Sequence, residues 1–209
     1  ILTDLKVKNL GMIYINDEYG RSFFDLTKQE FEKTGGKVSG KSYEGNNPDF
    51  KEQIVELRDA DAIYVVVRSG HLESILVQLK EKDYGGFIVG AGNASVPSIR
   101  NLPETNGIYV VAPIIYAPNF LYAKEVREKY EARYGKPFNH YAAGGYDLMK
   151  LLAGLLGDEE ISRKNVKRLL EMGFTYPGVF GELNVTPGEQ DIGFPLHPAQ
   201  ILNGEVQYR

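Results

Sequence analysis

The chain has 209 residues, 43% of them hydrophobic and 25% charged, and a formal net charge of -4, enough to bury a real core as one large or two small domains. A mildly acidic chain without a Lys/Arg block is a poor partner for nucleic acid, because neutralising phosphates requires clustered positive charge. There are 0 cysteines, which excludes disulfides, thiolate metal sites and a cysteine nucleophile. No apolar run reaches the roughly 18 residues of a membrane span.

In chain order, the first signal is the apolar run Met12 to Ile15, which ends in Asn16-Asp17-Glu18-Tyr19-Gly20 before an amphipathic segment begins. This reads as a strand over 11–16, a tight polar loop and a helix over 22–34. In an open parallel sheet the carboxyl end of such a strand is where ligands bind. Phe23, Phe24, Leu26, Thr27 and Phe31 keep helical spacing while Lys28, Glu30, Glu32 and Lys33 face water, and Gly35-Gly36 stops the helix. Further strands are expected at 37–43, 62–67, 86–90 and 107–112, with helices at 49–59, 72–82 and 96–101 between them. The runs at 62–67 and 107–112 are apolar without alternation, as expected for strands covered on both faces. Alternating β and α segments of this kind predict a doubly wound α/β layer with a parallel sheet.

Beyond Pro113 the pattern changes. Pro113 and Pro118 bracket a connector, and helices are expected at 119–134, 139–156 and 162–172, punctuated by Gly135, Gly157 and Gly173. The segment 141–156 is the most apolar of these, but Asp147 and Lys150 mark it as an amphipathic buried helix. The remainder is turn-rich and strand-like, with strands at 181–185 and 195–202 and a hairpin through Asn203-Gly204. The expected organisation is an α/β lobe over 1–113, a helical segment over 114–178 and a β-rich tail over 179–209.

Few motifs carry chemistry. Gly90-Ala91-Gly92-Asn93-Ala94-Ser95 resembles the start of a dinucleotide fingerprint but lacks the third glycine, and it reads as a strand-end loop. His71, His140 and His197 are isolated from one another, which argues against a zinc site. No nucleophile elbow or supported carboxylate pair recommends catalysis, so the chain is expected to be non-enzymatic, without cofactor or metal. Two residues stand out at strand ends. Tyr19 lies between strand and helix, where its phenol either meets a ligand over the sheet edge or packs on its own helix. Arg68 follows Val65-Val66-Val67 and either pairs with a ligand carboxylate or with Glu18 or Glu73.

Taken together, Asn16-Asp17-Glu18-Tyr19-Gly20-Arg21-Ser22, Gly35-Gly36-Lys37-Val38, Asp49-Phe50-Lys51, Ala62-Ile63-Tyr64-Val65, Gly107-Ile108-Tyr109, the helix end Tyr130 to Pro137, and Tyr141-Ala142-Ala143-Gly144-Gly145-Tyr146-Asp147 resemble the type I periplasmic binding proteins. The similarity is to the leucine/isoleucine/valine-binding group of ABC importers. The resemblance implies two α/β lobes that clamp a ligand by hinge closure, with this chain covering the second lobe, helices of the first and a tail that returns to the second, and no first-lobe sheet. It therefore implies a truncated, C-terminal portion, an expectation that the start at Ile1, only about ten residues ahead of a core strand, also suggests. The implied function is the substrate-binding component of an importer for a small polar solute, such as an amino acid, in the periplasm or outside the cell. The implied partners are that solute, an ABC permease and, through exposed first-lobe helices, a second copy of the chain. An extracellular sensory domain of the same fold and a protein-contact module are the alternatives.

Tyr19 matches the tyrosine that the second lobe of the family brings to its ligand, and the expected ligand contacts are Tyr19, Arg68, Ser69, Asn93 and, near the crossover, Tyr116. Where relatives carry an aromatic residue after the third strand, this chain has Arg68-Ser69-Gly70; where they carry an acid for the ammonium, it has the Gly90–Ser95 loop. Both departures favour a ligand that is more anionic, or that lacks an amino group.

Overall fold

A computed structural model describes residues 2–46, 48–157, 160–189 and 191–209, and at Ser69 the backbone alone. Five strands, β1 (Asn9–Ile15), β2 (Lys37–Tyr43), β3 (Ala62–Val66), β4 (Phe87–Gly90) and β5 (Tyr109–Ala112), follow one another with helices between them. The sheet order is β2-β1-β3-β4-β5-β8-β9, where β8 (His197–Leu202) and β9 (Glu205–Tyr208) come from the chain's end. β1 pairs in parallel with β2 and β3, β3 with β4 and β4 with β5. The mixed, mostly parallel α/β sheet agrees with the sequence pattern.

Burial explains the pattern residue by residue. Leu10, Met12, Ile13 and Ile15 of β1 and Ala62, Ile63, Val65 and Val66 of β3 are all buried, because helices cover both faces of the central strands. At the edge, β2 carries Lys37 and Lys41 along half-exposed backbone, and Lys41 pairs with Glu56 of α2 (Lys51–Glu56). Charge on an edge strand discourages pairing with another chain. Helix α3 (Ser69–Glu81) buries Leu72, Ile75, Leu76 and Leu79, an unbroken stripe at three- and four-residue spacing.

Helix α1 (Glu18–Lys33) begins earlier than its hydrophobic spacing predicts. The reason is a cap: Asp17 has extended backbone and its Oδ1 accepts the Gly20 N–H at 2.9 Å, so the polar loop is already the first helical turn. A Cβ on Gly20 would stand 1.9 Å from the Ile15 carbonyl oxygen, so this turn presses directly on the end of β1. The helix closes at Thr34, followed by Gly35 at φ +83°.

Between Val96 and Ile108 the chain passes through α4 (Pro97–Arg100). β8 and β9 then pair antiparallel through Asn203-Gly204, with φ of +52° and +77°, the left-handed pair that a two-residue hairpin turn requires. Contacts group Ile1–Val111 and Pro198–Arg209 as one unit, and Ala112–His197 as another.

The second unit contains α5 (Leu121–Tyr134), α6 (His140–Leu156), α7 (Arg163–Glu171) and an antiparallel pair, β6 (Phe174–Gly178) with β7 (Gly181–Val185). Its buried residues include Ala123, Phe138, Ala143, Leu151, Val179 and Phe180, together with Asp147. Strand β6 is not evident from sequence, since Pro177 lies inside it; it pairs through β7 alone, where a proline is tolerated at an edge. Among the described residues, no helix is long and apolar enough to cross a membrane.

Candidate functional site

The order β2-β1-β3-β4-β5 reverses direction at β1, so the crevice between the ends of β1 and β3 is the topological switch point. Residues two or three positions past the ends of four neighbouring strands lie along it: Asp17 after β1, Gly45 after β2, Arg68 after β3 and Asn93 after β4. Asp17 and Arg68 form an ion pair, Nη2 to Oδ2, at 3.6 Å. A Cβ on Gly45 would lie 3.3 Å from the guanidinium carbon of Arg68, so the absent side chain leaves the cation room to rest against the β2 loop.

The backbone of Arg68 is fixed as well. Its N–H donates to the Tyr43 hydroxyl at 3.2 Å, and that hydroxyl also bonds His71 Nδ1 at 3.2 Å. Tyr43 and His71 both pack edge-on to the buried ring of Phe50. Burial pushes the Tyr43 phenol above its ordinary value; the Arg68 N–H and charge pull it down, and the Asp17 charge adds to the rise. The phenol is therefore neutral at physiological pH and serves as a fixed hydroxyl under the cation.

Asn93 sits in a short 3-10 turn (Gly92–Ser95). Its Nδ2 donates to the Val67 carbonyl at 3.2 Å, while its Oδ1 is buried without a donor among the described residues. A buried unmatched acceptor costs free energy unless something supplies a proton donor. Tyr19 lies on the first turn of α1, 54% exposed. Its ring leans on Phe23 at 4.7 Å, and Phe23 meets Tyr64 of β3 edge-on at 6.5 Å. Tyr19 thus packs on its own helix and presents the remainder of its ring at the crevice end of β1.

Of the five residues singled out from sequence, Tyr19, Arg68 and Asn93 stand at neighbouring strand ends of the first unit. Ser69 opens α3, and its side chain lies outside the described residues. Tyr116 ends a 3-10 turn (Ile114–Tyr116) in the second unit, where it is buried. Arg68 pairs with neither Glu18 nor Glu73 but with Asp17, which the helix cap holds in reach. Tyr43 and Gly45 are additions to the site, and His71, just past the same strand end as Arg68, bonds the Tyr43 hydroxyl. Gly45 carried no signal in sequence: the rule that draws attention to Arg68, the residue after an expected strand, selects Glu44 at the end of β2. Among the described residues no group of three His, Cys, Asp or Glu is placed to hold a metal ion.

The class this geometry defines is a doubly wound α/β protein whose polar crevice lies at the switch point of its sheet. The chain belongs to the periplasmic binding protein family, whose profile matches residues 1–205. No curated protein matches it in sequence. Among solved structures, a putative branched-chain amino acid ABC transporter protein from Rhodospirillum rubrum is similar at 20% identity and a TM-score of 0.84, over 100% of this chain and 62% of that one. A leucine-binding protein from Thermotoga maritima is similar at 19% identity and 0.85, over 100% and 61%. A solute-binding protein of an ABC transporter from Rhodopseudomonas palustris, in complex with 3,4-dihydroxybenzoic acid, is similar at 20% identity and 0.82, over 98% and 60%. These likenesses establish the fold. The chain spans about three-fifths of the length of the solved structures it matches.

Proposed function

We propose that this chain is, or is part of, the solute-binding component of an ABC importer, working in the periplasm or outside the cell, and that its solute carries a carboxylate. The observation that carries this reading is the Arg68 guanidinium at the β1/β3 switch point, resting against Gly45 and 63% exposed at its side chain. A planar, permanently charged fork matches a carboxylate in a bidentate manner. In this reading the acid lies across Arg68 and the ring of Tyr19 covers its apolar part, with Asn93 at the neighbouring end of β4. The chemistry is binding without bond-making, which accords with a solute-binding family. Similar structures include a leucine-binding protein and proteins in complex with 3,4-dihydroxybenzoic acid and with benzoate, all of them carboxylates. Those names support the class of solute and leave its identity to experiment.

An ABC permease is the macromolecular partner in this reading. A second copy of the chain is the proposed cover for the exposed Leu148, Met149, Ile161 and Met172 of the helical unit, and solution mass by light scattering tests it.

The test of the solute is a thermal-shift panel of leucine, isoleucine, valine, benzoate and 3,4-dihydroxybenzoate against the wild type and Arg68→Gln. An acid at a hundred times its Kd stabilises by about 2.7 kcal/mol. At least one acid is expected to raise Tm in the wild type and to lose most of that effect in the variant. Equal shifts in both proteins, or none from any acid, refute the assignment.

A further inference from the structure

We infer that Asp17 is an internal stand-in for the solute's carboxylate: it holds Arg68 while the crevice is empty and sets how strongly the site prefers anions. This rests on the reading of Arg68 as the carboxylate contact and deepens it.

Asp17 divides its two oxygens. Oδ1 is committed to the Gly20 N–H at 2.9 Å as the cap of α1. Oδ2 alone faces Arg68, at 3.6 Å. That separation is an ion pair but exceeds hydrogen-bond length, so the guanidinium is partly neutralised while its N–H donors stay uncommitted to Asp17. Both side chains are open to solvent, at 39% and 63% exposure, and an exposed pair of this kind is weak. A solute carboxylate that reaches Arg68 in bidentate geometry makes the shorter, stronger contact, but it also meets the Asp17 charge. Asp17 therefore attracts the empty cation and repels the incoming anion. Both effects lower affinity for acids and leave neutral solutes of the same shape almost untouched.

The cap makes this separable from folding. Asparagine caps a helix about as well as aspartate, so Asp17→Asn keeps the Gly20 bond and removes only the charge. Isothermal titration of the full chain with benzoate, and with its neutral isostere benzamide, is compared in the wild type, Asp17→Asn and Arg68→Gln. Asp17→Asn is expected to bind benzoate about two- to tenfold more tightly, with benzamide unchanged and the gain shrinking at high salt. Arg68→Gln is expected to lose benzoate. If Arg68→Gln loses benzoate while Asp17→Asn binds it as the wild type does, the carboxylate reading stands and the stand-in role is overturned. If benzamide tightens equally in Asp17→Asn, the effect is one of shape and the inference fails. If benzoate binding ignores Arg68 or is absent from all three proteins, the stand-in role is overturned, and the carboxylate reading falls with it only where every acid of the thermal-shift panel fails as well.

Discussion

Removing Asp147 is expected to unseat the turn that closes the helical unit. Asp147 is a residue of α6, 1% exposed. Its Oδ1 accepts the Val179 N–H at 2.8 Å and its Oδ2 the Phe180 N–H at 3.1 Å. Both donors lie in the buried turn between β6 and β7, so in Asp147→Ala two buried N–H groups lose their acceptor. An orphaned group costs about 1–3 kcal/mol. Losing the carboxylate also relieves its own desolvation, so the net loss should be about 2–4 kcal/mol. Asp147→Asn keeps one carbonyl oxygen but turns an NH2 toward the other donor, and about 1–2 kcal/mol is expected. Urea unfolding followed by circular dichroism measures both variants, as a lower midpoint with unchanged slope. The pH dependence tests the balance further. Burial raises the Asp147 pKa above its ordinary value, and the two N–H bonds pull against that rise. A raised folded pKa gives a stabilising term that is fully present below the unfolded value and is lost as pH rises through the folded value. The wild-type advantage over Asp147→Asn should therefore be larger in acid than at neutral pH. An Asp147→Ala change within 0.5 kcal/mol of wild type, about the size of an inert surface substitution, would refute the turn-clamp reasoning. An advantage that grows with pH would refute the dominance of burial.

Gly20→Ala should cost at or beyond the upper end of the ~1–3 kcal/mol typical of overpacking, because its Cβ would stand 1.9 Å from the Ile15 carbonyl oxygen; a melting temperature equal to wild type would show that α1 can shift freely. Asp61 accepts the Lys8 and Asn9 N–H groups at 2.9 and 2.7 Å, and those bonds hold its pKa below the ordinary value. Asp61→Asn should then be less stable than wild type at neutral pH, the gap closing as pH falls through the depressed folded value; a gap that persists in strong acid contradicts this. Burial pushes the Tyr64 phenol up to about 12, so Tyr64→Phe should remove a late-titrating band from the ultraviolet titration of the folded chain, and loss of an early band instead would contradict it.

The parts of this fold legible in sequence are those governed by burial on a regular period. The apolar runs of β1 and β3 and the Leu72, Ile75, Leu76, Leu79 stripe of α3 report their surroundings directly, since all but Tyr14 and Tyr64 among them are buried. The start of α1 was less legible, because Asp17 serves as loop residue and cap at once, and the cap bond fixes the boundary four residues ahead of the apolar spacing. Strand β6 was hidden because its register comes from pairing with β7 rather than from its own composition. The site divides the same way. Position after a strand was enough to place Tyr19, Arg68 and Asn93 at neighbouring strand ends. Arg68's partner was not, because Glu18, Glu73 and Asp17 are equivalent charges in sequence and only the Gly20 cap aims Asp17 across the crevice. Asp147 shows the limit most clearly. In sequence it is a charge on an amphipathic helix, whereas in the fold it is among the most buried polar groups, placed there by backbone donors from a turn some thirty residues further on.

The central claim is that a carboxylate-bearing solute binds at the β1/β3 switch point. The most direct measurement is a crystal structure of the chain with the acid that gives the largest thermal shift. The account predicts the acid's carboxylate in hydrogen-bond contact with the Arg68 guanidinium, the Asp17–Arg68 pair opened beyond its present 3.6 Å and the Tyr19 ring over the solute. An acid seated elsewhere on the chain, with Asp17 and Arg68 still paired and the crevice empty, would contradict it.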